Sequence, residues 1–210
     1  MLFRSIGSFG FMLGTGGAAL ISKKIGENKK EEANKIFSML IEFLIILGII
    51  LTVIGIFLSK PVASLLGAKD EHLELATKYA ISAIAFITFF MLQNACQSYL
   101  IVADKRKLSL ISSLCAGITN MLLDFIFMYV MRLGIIGAGL GTGISYIVGG
   151  GIPLCYFLFN KKGILKFKLT TFDFKAIGQS CYNGLSEMLT NIAVSDRKST
   201  RLNSSHLGIS

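Results

Sequence analysis

The sequence predicts an all-α, polytopic transmembrane helix bundle, and three observations carry that expectation. Apolar residues make up 53% of the 210-residue chain and gather into six long runs. Charged residues are only 16%, against about a quarter in ordinary soluble domains. The lysines and arginines sit in the gaps between the runs, heavily in every second gap, as membrane topology imposes.

The runs are Leu2–Ile21, Ile36–Leu58, Tyr79–Ala103, Leu108–Met131 and Ile135–Phe159, with an incomplete sixth over about Ala176–Ser195. The middle four hold 23 to 25 residues each. At 1.5 Å per residue a helix of that length crosses about 30 Å of hydrocarbon with some tilt. None alternates polar and apolar residues as a barrel strand does, and all are too long for one. The first run lacks a basic leader and a cleavage site, so it does not read as a signal peptide. Its Gly14-Thr-Gly-Gly-Ala-Ala19 stretch reads as a close helix contact. Lys23–Lys35 reads as a solvated connector near anionic headgroups, with a turn and a charged helix start over Gly26–Ala33.

Counting basic residues loop by loop gives the orientation. The first, third and fifth loops contain thirteen lysines and arginines, among them Lys23, Lys24, Lys105, Arg106, Lys107, Lys161 and Lys162. The second and fourth contain four: Lys60, Lys69, Lys78 and Arg132. Odd loops are therefore expected in the cytoplasm and Met1 outside, an arrangement that calls for an earlier span. The composition changes abruptly after Ser195, where the sixth run is still short of a crossing. Asp196–His206 resembles a translated sequencing-library adapter, and 196–210 is expected to be a non-native tail.

The formal net charge of +9 would suggest nucleic acid in a soluble protein. Here topology accounts for it, and no nucleic-acid partner is expected. Cys96, Cys115, Cys155 and Cys181 fall in apolar runs without C-x-x-C spacing, and His72 and His206 are isolated, so neither disulfides nor a transition-metal site is expected. Gly137-Ala-Gly-Leu-Gly-Thr-Gly143 follows no strand and lies in an apolar run, which favours helix packing over a dinucleotide loop. No Walker motif, nucleophile elbow or H-E-x-x-H occurs. Enzyme chemistry has no visible carrier, and no cofactor is expected.

Ionisable groups within the runs are more informative, because each is costly in hydrocarbon and normally faces protein, water or a ligand. The acidic ones are Glu42, Asp124 and Glu187. Asn120 precedes Asp124 by one helical turn, on the same face. Asp124 and Thr142 each lie about seven residues, or about 10 Å, from the Arg132–Gly134 turn. The hairpin can thus gather a carboxylate, an amide and a hydroxyl at one depth. Such oxygens suit Na⁺, and the carboxylate alone suits a proton. An interhelical hydrogen-bond cluster is the equally weighted structural alternative. Glu42 lies near the depth of Gln97 and Tyr99, and a structural hydrogen bond or snorkelling is expected there. Glu187, with Asn183, Thr190 and Asn191, marks a polar face that could line a cavity, as could Gln97.

Three stretches resemble the multidrug and toxic-compound extrusion (MATE) family: Met12–Ser38, Gln97–Ser109, and Asn120–Asp124 followed by Leu133–Ser145. Together they span nearly all of Met1–Ser195, in the family's order and spacing, and are most similar to its bacterial small-drug exporters. The resemblance implies a transporter of two six-helix lobes, with 1–175 supplying helices two to six of the first lobe and 176–195 starting helix seven. It implies exchange of Na⁺ or H⁺ for drugs and organic cations across a cell membrane, with a bacterial inner membrane expected. The lipid bilayer and the rest of the transporter would be its partners. It also implies that Asn120, Asp124 and Thr142 belong to the cation site, and that Glu187 matches a helix-seven carboxylate. A flippase for lipid-linked oligosaccharides or polysaccharides would share the fold but would favour cationic residues inside the lobe. A non-transporting membrane scaffold would need no polar set at matched depth.

Overall fold

The structure is a computed structural model, and residues 2–65, 70–160, 163–167, 173–185 and 189 are described. Among them the chain forms helices and no strand. These are α1 (Leu2–Gly26), α2 (Lys30–Leu65), α3 (Asp70–Ile84), α4 (Ile87–Val102), α5 (Arg106–Asp124) and α6 (Gly134–Phe159). A π-helical turn, Phe125–Val130, continues α5, and a helix over 174–185 is designated α7. The residues of the proposed tail, 196–210, and residues 186–188 and 190–195 of the sixth run lie outside the described set.

By length and apolarity, α2, α5 with its π turn, and α6 can each cross a bilayer; α3 and α4, taken as one bent span, make a fourth. Large apolar side chains stand exposed along α2 (Ile46, Ile49, Val53, Phe57) and α5 (Ile111, Leu114, Ile118, Met121). Water would penalise such continuous faces, whereas lipid covers them without cost. The helices depart from the apolar runs at several places, with α1 running on to Gly26 and α2 to Leu65. The charged start at Lys30 is already helical, so α2 begins six residues before its run. The run Tyr79–Ala103 is not one straight helix: its helix starts at Asp70 and breaks at Ala85–Phe86 with a 43° bend.

Glycines set how closely these helices approach. In α1, a Cβ on Gly10 would lie 2.7 Å from the Met91 Cα of α4, and one on Gly14 would lie 2.8 Å from the Ala95 Cα. Backbones this near gain dispersion contacts that larger residues would forbid. Gly17 leaves room for Tyr99, which is fully buried and donates its hydroxyl hydrogen to the Leu13 carbonyl at 2.8 Å. Phe37 packs edge-on against Tyr99, with ring centroids 5.4 Å apart, and lies 4.7 Å from Phe157, closing a core between α2, α4 and α6.

The glycines of α6 point two ways. Gly137 and Gly141, one turn apart, face the π turn and α5, meeting Phe127 and Asp124. Gly139 and Gly143 face α3 and α4, meeting Ser82 and the ring of Phe86. Phe86 is the residue at the bend, so the break coincides with the ring that seats over Gly143. Pro153 lies inside α6 and has no N–H to give the Gly149 carbonyl one turn earlier. Ser112 of α5 fills that vacancy, its hydroxyl bonding the Gly149 oxygen at 2.7 Å.

The basic first and fifth loops meet at one end of the bundle. The Lys166 N–H bonds the Asn34 side-chain oxygen at 2.8 Å, the Ser38 hydroxyl reaches the Lys166 carbonyl at 3.4 Å, and Leu165 is buried in the core. Lys24 pairs with Glu32 at 2.7 Å across the α1–α2 turn. That hydrogen bond holds the Glu32 carboxyl below its ordinary range and raises the Lys24 ammonium. As an exposed pair it is screened by salt and contributes little.

The two environments of α6 predict opposite responses to a single methyl group. Gly151→Ala, where nothing lies within 4 Å, is expected to gain about 0.5–1 kcal/mol from helix propensity. Gly143→Ala drives into the Phe86 ring and is expected to lose about 1–3 kcal/mol. Melting of the detergent-purified variants, followed by size-exclusion chromatography, checks both; a Gly143→Ala as stable as the parent would refute the packing.

Candidate functional site

Asn120 and Asp124 occupy successive turns at the end of α5, and α6 passes them with Gly141 and Thr142. The Asn120 side-chain nitrogen donates to the Thr142 hydroxyl oxygen at 3.2 Å. That bond fixes the amide's orientation and leaves its oxygen as an acceptor. Asp124 lies directly over Gly141: a Cβ there would sit 2.5 Å from the Asp124 Oδ1. The carboxylate therefore occupies space that any other residue at 141 would fill.

Asp124 Oδ1 is buried and makes no hydrogen bond. A buried carboxylate oxygen without a hydrogen bond is costly in apolar surroundings. Asn120 directs one N–H to Thr142, and Ser145 bonds the Thr142 carbonyl at 2.6 Å, so neither bond reaches the carboxylate. The π turn begins at the next residue, Phe125, where the backbone admits an extra residue per turn. The Met131 N–H reaches back five residues to the Ile126 carbonyl at 2.8 Å. Such turns in otherwise α-helical segments are frequent at functional sites.

The structure thus brings together Asn120, Asp124 and Thr142. It does not join the other polar residues to them. Gln97 donates to Ser113 of α5 at 2.8 Å, binding α4 to α5. Glu42 does not bond Gln97 or Tyr99, which have the partners given above; its Oε1 is buried without a hydrogen bond. Asn183 is exposed on α7 and lines a cleft of about 760 Å³ with Lys23, Lys175, Gln179 and Tyr182. Glu187, Thr190 and Asn191 lie outside the described residues. Sequence reasoning missed Gly141 as the seat of the carboxylate, and the π turn. The first had a signal in the spacing of Gly137 and Gly141; the second had none. Among the described residues no cluster of His, Cys, Asp and Glu could hold a metal ion through three or more such ligands.

A glycine-packed bundle with apolar outer faces and an unpaired carboxylate at an inner hairpin defines a multi-pass membrane protein with a polar site inside it. Comparison with known proteins places it: the MatE family profile matches residues 1–126, more than half of the chain. The chain belongs to the MatE family. It is 31% identical over 173 residues to the multidrug export protein MepA of Staphylococcus saprophyticus, covering 80% of this chain and 37% of that protein. The MepA of Staphylococcus haemolyticus is 29% identical over 160 residues, 74% of this chain and 34% of that one. The chain thus spans little more than a third of these relatives. A multidrug resistance MATE family transporter of the MOP superfamily, solved in an inward-facing conformation, superposes with a TM-score of 0.86 over 92% of this chain and 44% of its own, at 22% identity. Its outward-facing form superposes at 0.84. At that identity the likeness speaks for the fold.

The Asn120–Thr142 bond yields a direct test. Thr142→Val removes the acceptor and leaves the amide N–H unpaired, which is expected to cost about 1–3 kcal/mol, whereas Thr142→Ser keeps the hydroxyl and most of the stability. Equal melting temperatures for the two variants would show that the bond is not made.

Proposed function

We propose that this segment forms part of the first lobe of a secondary transporter that exports drugs and organic cations in exchange for Na⁺ or H⁺. The observation that carries the reading is the buried Asp124 Oδ1, seated over Gly141 without a hydrogen bond. Asp124 would hold the coupling ion. Asn120 would offer its amide oxygen, and Thr142 would fix the amide; a proton would need the carboxylate alone. The multidrug export proteins matched above support the substrate class, and the apolar helices support a place in the cell membrane.

The exchange then follows from linkage. Ion binding at Asp124 and drug binding in a cleft between lobes shift the same conformational equilibrium, each only by its differential affinity for the two states. A carboxylate between α5 and α6 can carry that differential, because the hairpin that holds it also packs on the bent α3–α4 pair. The flippase reading is less well supported, since the ionisable groups within the apolar stretches of α2 and α5, Glu42 and Asp124, are both acidic.

In a complete transporter containing this segment, Asp124→Asn is expected to abolish drug resistance while leaving membrane expression intact. Efflux from proteoliposomes under an imposed Na⁺ or H⁺ gradient would then identify the ion. Resistance retained at the parental level removes Asp124 from the mechanism.

A further inference from the structure

The end of the bundle where the first and fifth loops meet holds a cleft of about 530 Å³, lined by Lys30, Glu31, Asn34, Lys35, Gly163, Ile164 and Lys166. Its charge is unbalanced, with three lysines against one carboxylate. The adjacent turn differs: Lys24 and Lys29 are engaged by Glu27 and Glu32, while Lys30, Lys35 and Lys166 have no ion pair within 4.0 Å among the described residues. We infer that this cleft binds the phosphate headgroup of an anionic phospholipid.

Three further features fit that ligand. The Asn34 oxygen is committed to the Lys166 N–H, so its NH₂ remains a donor on the cleft lining, suited to a phosphate oxygen. Ile164 lines the same cleft and is 42% exposed; an apolar side chain beside the lysines suits an acyl chain and not a free anion. The position is also right, at the end of membrane-crossing helices, where basic clefts meet anionic headgroups.

The cleft has two walls from distant parts of the chain. Lys30, Asn34 and Lys35 belong to the start of α2; Ile164 and Lys166 belong to the segment between α6 and α7. Protein hydrogen bonds already strap that segment to α2 through Asn34 and Ser38. A headgroup shared by lysines of both walls adds a second strap and holds the lead-in to α7 against α2. This assignment stands independently of what the transporter carries.

Native mass spectrometry of the detergent-purified protein, offered phosphatidylglycerol and phosphatidylcholine, reads the proposal directly. Phosphatidylglycerol is expected to be retained preferentially, with affinity falling about fivefold for each of Lys30→Gln, Lys35→Gln and Lys166→Gln. A control set at the same end, Lys105→Gln, Arg106→Gln and Lys107→Gln, is expected to retain the lipid. Asn34→Asp keeps the acceptor for Lys166 but replaces the NH₂ with a charged oxygen, so it is expected to lose lipid at an unchanged melting temperature. No preference in the parent overturns the proposal. So does equal loss in cleft and control sets, which would mean diffuse surface charge. Displacement of the lipid by millimolar glycerol phosphate overturns the lipid as the source.

Discussion

Everything in this bundle rests on how near two helix backbones can come when no Cβ stands between them. Lipid tails are as apolar as leucine, so helices gain little by hiding greasy surface from each other in a membrane. They associate through dispersion and through polar groups that would otherwise go unmatched. Both need short distances, and Gly10 and Gly14 supply them between α1 and α4. Gly141 and Gly143 do so on opposite sides of α6. The face with Gly143 admits an aromatic ring from the bent pair; the face with Gly141 admits a carboxylate.

Polar matching follows from the same approach. Pro153 strips a donor from the Gly149 carbonyl, and α5 runs close enough for Ser112 to replace it. Gly17 opens the gap through which Tyr99 reaches a carbonyl of α1. In each case a side-chain hydroxyl from one helix repairs or shares the backbone of another. Hydrocarbon offers no water to do so. The result is a set of cross-links, individually modest, that fix the rotation of each helix about its axis. With α5 and α6 fixed in this way, Asn120, Asp124 and Thr142 stay in register.

Much of this was legible in the sequence, for identifiable reasons. Helices and their order followed from apolar length, and the polar trio followed from equal distances to the Arg132–Gly134 turn. The glycine pairs were readable as close contacts, though not which neighbour each would meet. The bend at Ala85–Phe86 was not readable. No glycine or proline marks it, and its partner lies more than fifty residues away on α6. The π turn was equally silent, since Phe125–Val130 reads as ordinary apolar helix. Glu42 was assigned partners by depth alone; depth ignores rotation, and Gln97 and Tyr99 point to other helices. The strap between Asn34 and Lys166 joins two loops whose separate patterns give no hint of contact.

The unpaired oxygen of Asp124 is one place where close packing goes without polar repair. Some polar groups between α4, α5 and α6 are matched, Ser112 with Gly149, Gln97 with Ser113 and Asn120 with Thr142, whereas the buried Gln93 Oε1 and Asn94 Nδ2 of α4, like Asp124 Oδ1, have no hydrogen-bond partner. Asn120 stands one turn away with two N–H donors. It directs one to Thr142 instead, leaving the carboxylate over a glycine with its Oδ1 unmatched. Under the proposed function, a proton or cation would supply the partner that this oxygen lacks among the described residues. On that reading, the carboxylate finds its place because position 141 carries no side chain and not because the helix spacing is widened. A wider gap would admit water and weaken the hold on any bound ion. A missing Cβ admits only the carboxylate.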